Sequence, residues 1–361
     1  MRVLFCGGGT AGHVTPAIAI AQTIMRNSNE NKVAYVVTRN GIENRLVDFK
    51  KYVIDVIGFK RKFSFDNFKF IYKQIKAIED CKRIITEFHP DIVFGTGGYA
   101  TYPVVIAAKK MGIKTVLHES NAIPGKAVLS LQKKVDKILI NFEDSKKYFK
   151  HSDKIILTGN PIRNNFEAYE KAEIKRQLGI RQRYVILCTG GSMGANRINS
   201  SAVELIDNIV KLQKEIFFIW STGKKEYESS IQMLKSRGLF GLNNVMLSDY
   251  FANMPQLMAS ADVVISRAGA MTISELAYTK KASILVPSPN VTNNHQYINA
   301  STLEKSGAAI MITEDKLYLL VDIVKDLIYN ESKRKLLEEN IGEYAMKDAN
   351  KKIFSILYNM L

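Results

Sequence analysis

Short runs of β-branched and aromatic residues alternate along the chain with longer stretches whose apolar residues recur at helical spacing. Runs at 3–6, 33–38, 52–57, 92–94, 115–118, 137–140 and 155–157 predict seven strands, and the stretches between them predict helices covering a parallel sheet. The rhythm restarts with runs at 184–189, 216–220, 245–247, 263–266, 283–286 and 308–312, so two α/β sheets are expected. Gly159-Asn160-Pro161 breaks both periods between the two series, which places a hinge near residues 159–166. From about Asp315 onward the pattern is helical, and residues 341–361 have no strand after them. The expected organisation is a first domain over 1–160, a second over 161–340, and a final segment, 341–361, that crosses back to brace the first.

Each series opens the same way, with a strand ending in cysteine, a glycine-rich turn and a helix. The first reads Cys6-Gly7-Gly8-Gly9-Thr10-Ala11-Gly12-His13 and the second Cys188-Thr189-Gly190-Gly191-Ser192-Met193-Gly194-Ala195. In doubly wound sheets such turns sit at the carboxyl ends of strands, where ligands bind, and two of them facing each other would make a cleft. Residues 7–12 match the dinucleotide fingerprint G-x-G-x-x-G. That fingerprint also wants an acid at the end of the second strand, yet this strand ends Val37-Thr38-Arg39-Asn40, which disfavours NAD and leaves NADP open through Arg39. A third such turn, Gly95-Thr96-Gly97-Gly98-Tyr99, follows the fourth strand, so either several phosphates bind or some glycines serve close packing.

His13 stands at a helix start, where the dipole keeps an imidazole neutral and able to take a proton; a histidine there can equally cap or pack. His118-Glu119-Ser120-Asn121 ends the fifth strand and is expected to present polar groups to the same cleft. Arg163 comes just after Gly159-Asn160-Pro161 and has the planar fork that suits a diphosphate or, equally, a salt bridge at the hinge. In the second series, Ser266-Arg267-Ala268-Gly269-Ala270 leads into a helix bearing Glu275, whose carboxylate could hold a ribose or simply stabilise the helix. Asn293-Asn294-His295-Gln296 offers amides to hydroxyl groups or caps a helix.

Composition narrows the partners. With 51 Lys+Arg against 35 Asp+Glu the net charge is +16, which suits nucleic acid, an anionic membrane face or a phosphorylated substrate. Residues 58–76 concentrate this charge among phenylalanines: Phe59, Lys60, Arg61, Lys62, Phe63, Phe65, Phe68 and Lys69 form a candidate membrane contact, or one amphipathic helix. The three cysteines, Cys6, Cys81 and Cys188, have no redox or metal spacing, and a reducing compartment is expected. No Asp-x-Asp and no histidine cluster occurs, so neither a metal nor a cofactor is called for. No apolar stretch reads as a membrane-spanning helix, and any membrane association is expected to be peripheral.

Seven ordered segments together carry a resemblance: 8–13, 97–99, 118–121, 159–163, 190–195, 267–275 and Gln296-Tyr297. The chain resembles the bacterial enzymes that add N-acetylglucosamine to undecaprenyl-pyrophosphoryl-N-acetylmuramoyl-pentapeptide. The resemblance implies an α/β GT-B fold of two Rossmann-like domains and an inverting transfer from UDP-N-acetylglucosamine, with His13 as the base. It implies donor contacts from Thr10, Ala11, Gly12, Asn121, Arg163, Ser192, Phe251, Ala270, Met271, Thr272, Ile273, Ser274, Glu275 and Gln296, with Glu275 on the ribose. It implies that Gly97, Gly98 and Tyr99 cradle the acceptor pyrophosphate, and that the enzyme works at the cytoplasmic membrane face against anionic phospholipid, without nucleic acid. The family's usual glycines are replaced by Ala11 and Tyr102. Related enzymes with another lipid acceptor, UDP-N-acetylglucosamine 2-epimerases, and a non-catalytic nucleic-acid-binding protein are the competing readings.

Overall fold

Val3, Leu4, Phe5 and Cys6 are all fully buried, as a strand covered on both faces requires. They form β1 (Arg2–Cys6), the third strand of a seven-stranded sheet in a computed structural model that describes residues 1–56, 66–163, 166, 169–191 and 194–361. The sheet continues through β2 (Lys32–Thr38), β3 (Lys51–Ile54), β4 (Ile92–Gly95), β5 (Lys114–Glu119), β6 (Lys137–Ile140) and β7 (Ile155–Leu157). Its order is β3-β2-β1-β4-β5-β6-β7 with every pairing parallel. The second sheet comprises β8 (Tyr184–Thr189), β9 (Ile216–Ser221), β10 (Val245–Ser248), β11 (Val263–Ser266), β12 (Ala282–Leu285) and β13 (Ile310–Met311). It is also wholly parallel, in the order β10-β9-β8-β11-β12-β13.

Both sheets therefore run outward in opposite directions from their first strand. The chain leaves β1 and β8 at a topological switch point, where helix starts and glycine turns gather at the carboxyl edge. In the first unit, Leu4, Val36, Val93 and Leu117 pack with Cys81, Ile85 and Val104 on one face. Phe5, Tyr35 and Phe94 pack on the other face with Val14, Ile20 and Ile24. The second unit has its own core around Ile186, Phe218, Trp220 and Ile265.

The chain divides into two compact units, one of residues 1–164 with 346–361 and one of 165–345. The helix Ala349–Tyr358 completes the first unit by burying Ile353 and Leu357 in its core. Asn350 pins this return: its amide donates to the Ile162 carbonyl (2.9 Å) and to Thr23 Oγ1 (3.1 Å), and its carbonyl accepts from the Ile162 amide (3.0 Å).

Three boundaries differ from the periodicity. The third strand spans Lys51–Ile54 rather than 52–57, and Asp55 beyond it pairs with Lys73 (3.3 Å). The last strand has two residues because it meets β12 only at Ile284 and Leu285. Residues 341–345 stay with the second unit, as the end of the helix Glu331–Gly342 and the turn after it, so the return begins at Met346.

Candidate active site

In the first unit the turn after β1 is built by backbone approach. A Cβ on Gly7 would stand 2.0 Å from Thr96 Oγ1, and one on Gly98, at φ +80, would stand 2.1 Å from the Gly8 carbonyl oxygen. The Gly8 amide donates to the Gly97 carbonyl (3.2 Å), and the buried Tyr35 hydroxyl donates to the Gly7 carbonyl (2.9 Å). Two of the three glycine turns are thus stacked on each other. Gly7, Gly8 and Gly98 serve the close packing of the two turns.

His13 lies on this stack, in the first turn of the helix Ala11–Asn27. Its Nδ1 is 2.9 Å from the Gly8 carbonyl oxygen and 3.3 Å from Thr10 Oγ1. A carbonyl only accepts, so Nδ1 carries the proton and Nε2 keeps its lone pair. The ring rests on Gly97, where a Cβ would come within 3.2 Å of Cδ2. Burial holds the imidazole below its ordinary 6.5, opposed by the Gly8 carbonyl and by the carboxylate of Glu43.

The remaining first-unit candidates are more committed than the sequence suggests. His118 does not offer its ring to a ligand: it is fully buried, stacked on Phe94, with Nε2 on the Gly159 carbonyl (3.1 Å), and burial lowers its pKa to about 4. Glu119 is buried too, accepting from the Asn121 amide (2.9 Å), the Asn121 side chain (3.1 Å) and the Gly125 amide (2.8 Å), so it shapes the turn that presents Asn121. Arg163 is half-buried and its Nε has no hydrogen-bond partner. Tyr99 turns its hydroxyl to Thr38 Oγ1 (3.2 Å), and Tyr102 packs against the apolar core. Cys6 and Cys188 are fully buried thiols raised by desolvation, Cys188 to about 12, and act as small apolar residues.

The second unit sets its candidates along the carboxyl edge of its own sheet. Gly191, at φ +83, has no described residue within 4 Å of where a Cβ would stand, whereas a Cβ on Gly194 would lie 2.5 Å from the Thr222 carbonyl. Ser192 and Met193 lie outside the described residues. The turn 248–250 closes through the Ser248 hydroxyl donating to the Tyr250 carbonyl (2.9 Å) and leads to half-buried Phe251. After β11, Arg267 is held by Glu314 (2.5 Å) and the Val286 carbonyl (3.2 Å), while Asn299 donates to the Ala268 carbonyl (3.2 Å). These contacts fix the start of the helix Ala270–Tyr278.

Along that helix Glu275 and Thr272 are half-buried, whereas Met271 and Ser274 are buried. Ile273 has its side chain in the core, and its amide donates to the Gly269 carbonyl (2.9 Å). Gln296 accepts from the Ser288 amide (2.9 Å) through Oε1, which aims its NH2 group. Among the described residues no three His, Cys, Asp or Glu side chains gather as a metal site would need, and no helix is long and apolar enough to cross a membrane.

Two family models cover most of this frame. The glycosyltransferase family 28 N-terminal domain matches residues 3–140, and the C-terminal domain of the same family matches 185–353. The chain belongs to glycosyltransferase family 28. Within it, the chain is similar to the UDP-N-acetylglucosamine--N-acetylmuramyl-(pentapeptide) pyrophosphoryl-undecaprenol N-acetylglucosamine transferase of Thermoanaerobacter sp. (strain X514), 39% identical over 99% of both chains. The enzyme of the same name from Bacillus cytotoxicus is 37% identical over 100% of both. The fold matches a crystal structure of Acinetobacter baumannii MurG with a TM-score of 0.76, at 24% identity and 99% coverage of each chain. It also matches a UDP-GlcNAc 2-epimerase from Neisseria meningitidis bound to UDP-GlcNAc, with a TM-score of 0.67 at 17% identity, covering 99% of this chain and 100% of that one.

Membership in family 28 confirms the GT-B reading and makes the chain a glycosyltransferase. Two buried polar residues that no motif marks also stand beneath or beside the glycine turns. Glu43 is fully buried beneath the first glycine turn, and Asn199 links the Trp220 indole (3.0 Å) to the Thr222 carbonyl (3.0 Å) beside the glycine turn that follows β8. Both are flanked by polar residues, Glu43 by Asn44 and Arg45 and Asn199 by Ser200 and Ser201, so neither stood out in the sequence.

Proposed function

We propose that this family 28 chain transfers N-acetylglucosamine from UDP-N-acetylglucosamine to the 4-hydroxyl of undecaprenyl-pyrophosphoryl-N-acetylmuramoyl-pentapeptide, with inversion. The observation that carries the reading is the fixed tautomer of His13, whose Nδ1 is held by the Gly8 carbonyl at 2.9 Å. Nε2 takes the proton of the attacking hydroxyl as the bond from O4 to the anomeric carbon forms. The bond from that carbon to the diphosphate oxygen breaks, and UDP leaves with the electron pair. Amides at the start of the helix Ala270–Tyr278, with Arg163, steady the charge that develops on the diphosphate, and Glu275 takes the ribose hydroxyls. Thr10, Ala11, Gly12, Asn121, Ser192, Phe251 and Gln296 complete the donor contacts in this reading.

The test is to incubate the purified protein with donor and lipid acceptor and weigh the product. A gain of one N-acetylhexosamine on the lipid, with one UDP released, is expected. Epimerised UDP-sugar with the lipid unchanged would overturn the reading.

An acceptor anchored in a bilayer brings the enzyme to the membrane, and we assign that docking to the cytoplasmic leaflet through the basic aromatic stretch. Phe59, Lys60, Arg61, Lys62, Phe63 and Phe65 lie outside the described residues, and Phe68 and Lys69 fall on the helix Asp66–Phe88. Each cation near an anionic surface contributes about 1 kcal/mol. Changing Lys60, Arg61, Lys62 and Lys69 together to Glu is therefore expected to weaken sedimentation with phosphatidylglycerol vesicles by at least about 10³-fold. Undiminished binding would assign the stretch to another role.

A further inference from the structure

The first glycine turn rests on a carboxylate that the proposed mechanism does not use. Glu43 has no exposed surface, and among the described residues no cation pairs with it. Its Oε1 accepts from the Thr38 amide (3.1 Å) and the Thr38 hydroxyl (2.5 Å), and its Oε2 accepts from the Gly9 amide (3.3 Å). Since the Thr38 hydroxyl donates to the carboxylate, the Tyr99 hydroxyl donates to Thr38 Oγ1 (3.2 Å). The carboxylate is also enclosed sterically. A Cβ on Gly8 would come within 2.7 Å of its oxygens, and one on Gly41 within 2.0 Å of Oε1. A buried anion is costly unless donors surround it, so the turn and the carboxylate fix each other's position.

We infer that Glu43 is a positioning residue for the transfer reaction: it holds the Gly8-Gly9 turn at the height at which the Gly8 carbonyl engages His13 Nδ1, so that Nε2 is the nitrogen left to act as base. The inference rests on the proposed function and adds a residue to it. Three links carry it, namely Glu43 to the Gly9 amide, Gly9 to Gly8 along the chain, and the Gly8 carbonyl to His13 at 2.9 Å. Tyr99 closes the assembly from above, because its Cε1 lies 3.3 Å from where a Cβ of Gly9 would stand. The same arrangement commits the Gly9 amide to a carboxylate, so that amide is not offered to a phosphate.

The two oxygens have different partners, which makes a selective test possible. Glu43→Gln can keep its carbonyl on the two Thr38 donors, but it must then turn an NH2 group toward the Gly9 amide, donor against donor. The turn is pushed away while the Thr38 side stays intact. Displacement of a catalytic group by about 1 Å can cost on the order of 10²-fold in rate. We expect kcat of Glu43→Gln to fall about 10- to 100-fold, with the KM for UDP-N-acetylglucosamine within about twofold of wild type and the melting curve still cooperative.

The second readout needs no turnover. In 15N-histidine-labelled protein, His13 is assigned among the five histidines by its loss in His13→Ala. It is expected as the Nδ1-H tautomer in the wild type and as a mixture in Glu43→Gln. Should Glu43→Gln not fold, Thr38→Val, rescued by Thr38→Ser, carries the same two measurements. An unchanged tautomer, or a kcat within about twofold of wild type, overturns the inference. A wild-type protein that transfers nothing overturns the proposed function instead, and the tautomer comparison then decides the role of Glu43 alone.

Discussion

Replacing His13 by alanine is expected to lower kcat by about 10²- to 10⁴-fold at saturating donor and acceptor, the range that a positioned general base contributes. The loss falls on turnover because the ring is held by its own loop, Nδ1 on the Gly8 carbonyl at 2.9 Å and Cδ2 against Gly97. The pH profile supplies an independent check. Burial lowers the His13 pKa below 6.5, so the neutral ring is the form present at and above that pH. Wild-type kcat is therefore expected to rise to a plateau with pH and to fall as acid protonates Nε2, with the midpoint of that acid limb below the ordinary histidine value. In His13→Ala the acid limb due to this group disappears along with the rate. Steady-state kinetics from pH 5 to 8 measure both effects, and a variant with wild-type turnover would remove His13 from the chemistry.

Much of the frame was legible because parallel strands buried on both faces are written as uninterrupted apolar runs. All thirteen runs became strands, and the glycine turns marked where the chain leaves each sheet. The strand edges were less legible, since β3 and β13 end where a single neighbour stops pairing with them. At the site, the glycine turns around His13 made it a candidate base beside the capping or packing roles open to a histidine at a helix start. They could not fix which ring nitrogen is protonated, because that depends on a carbonyl five residues earlier and on the loop that supports it.

Glu43 escaped for a related reason. The dinucleotide pattern directs attention to the end of β2, which offers Thr38-Arg39-Asn40, whereas the acid lies five positions past Thr38 and folds back over Gly41. Its target is the backbone amide of Gly9, 34 residues away in sequence. No local spacing encodes a side chain that is bonded to a distant loop. His118 shows the converse: it sits at the expected place at the end of a strand, but its ring is buried, and neither periodicity nor motif spacing resolves the direction of one side chain there.

The stacked glycine turns give the second large effect. Gly98→Ala is expected to cost about 3 to 5 kcal/mol of stability in the first unit and to lower kcat by about 10²-fold in whatever remains folded. Two terms act together. At φ +80 an alanine is strained by about 1 to 2 kcal/mol, and its Cβ would stand 2.1 Å from the Gly8 carbonyl oxygen and 3.0 Å from Gly8 C and N. Those neighbours are backbone and cannot rotate away, so the Gly8 carbonyl must move, and with it the anchor of His13 Nδ1. Gly191→Ala separates the terms in a stability measurement. Its φ of +83 imposes the same conformational strain, but among the described residues nothing lies within 4 Å of where its Cβ would stand. Thermal and urea unfolding should therefore show Gly191→Ala losing only about 1 to 2 kcal/mol. Equal losses in the two variants would mean that the turns are not in contact as described. The larger loss at Gly98 ties the packing of one glycine turn to the chemistry of the other.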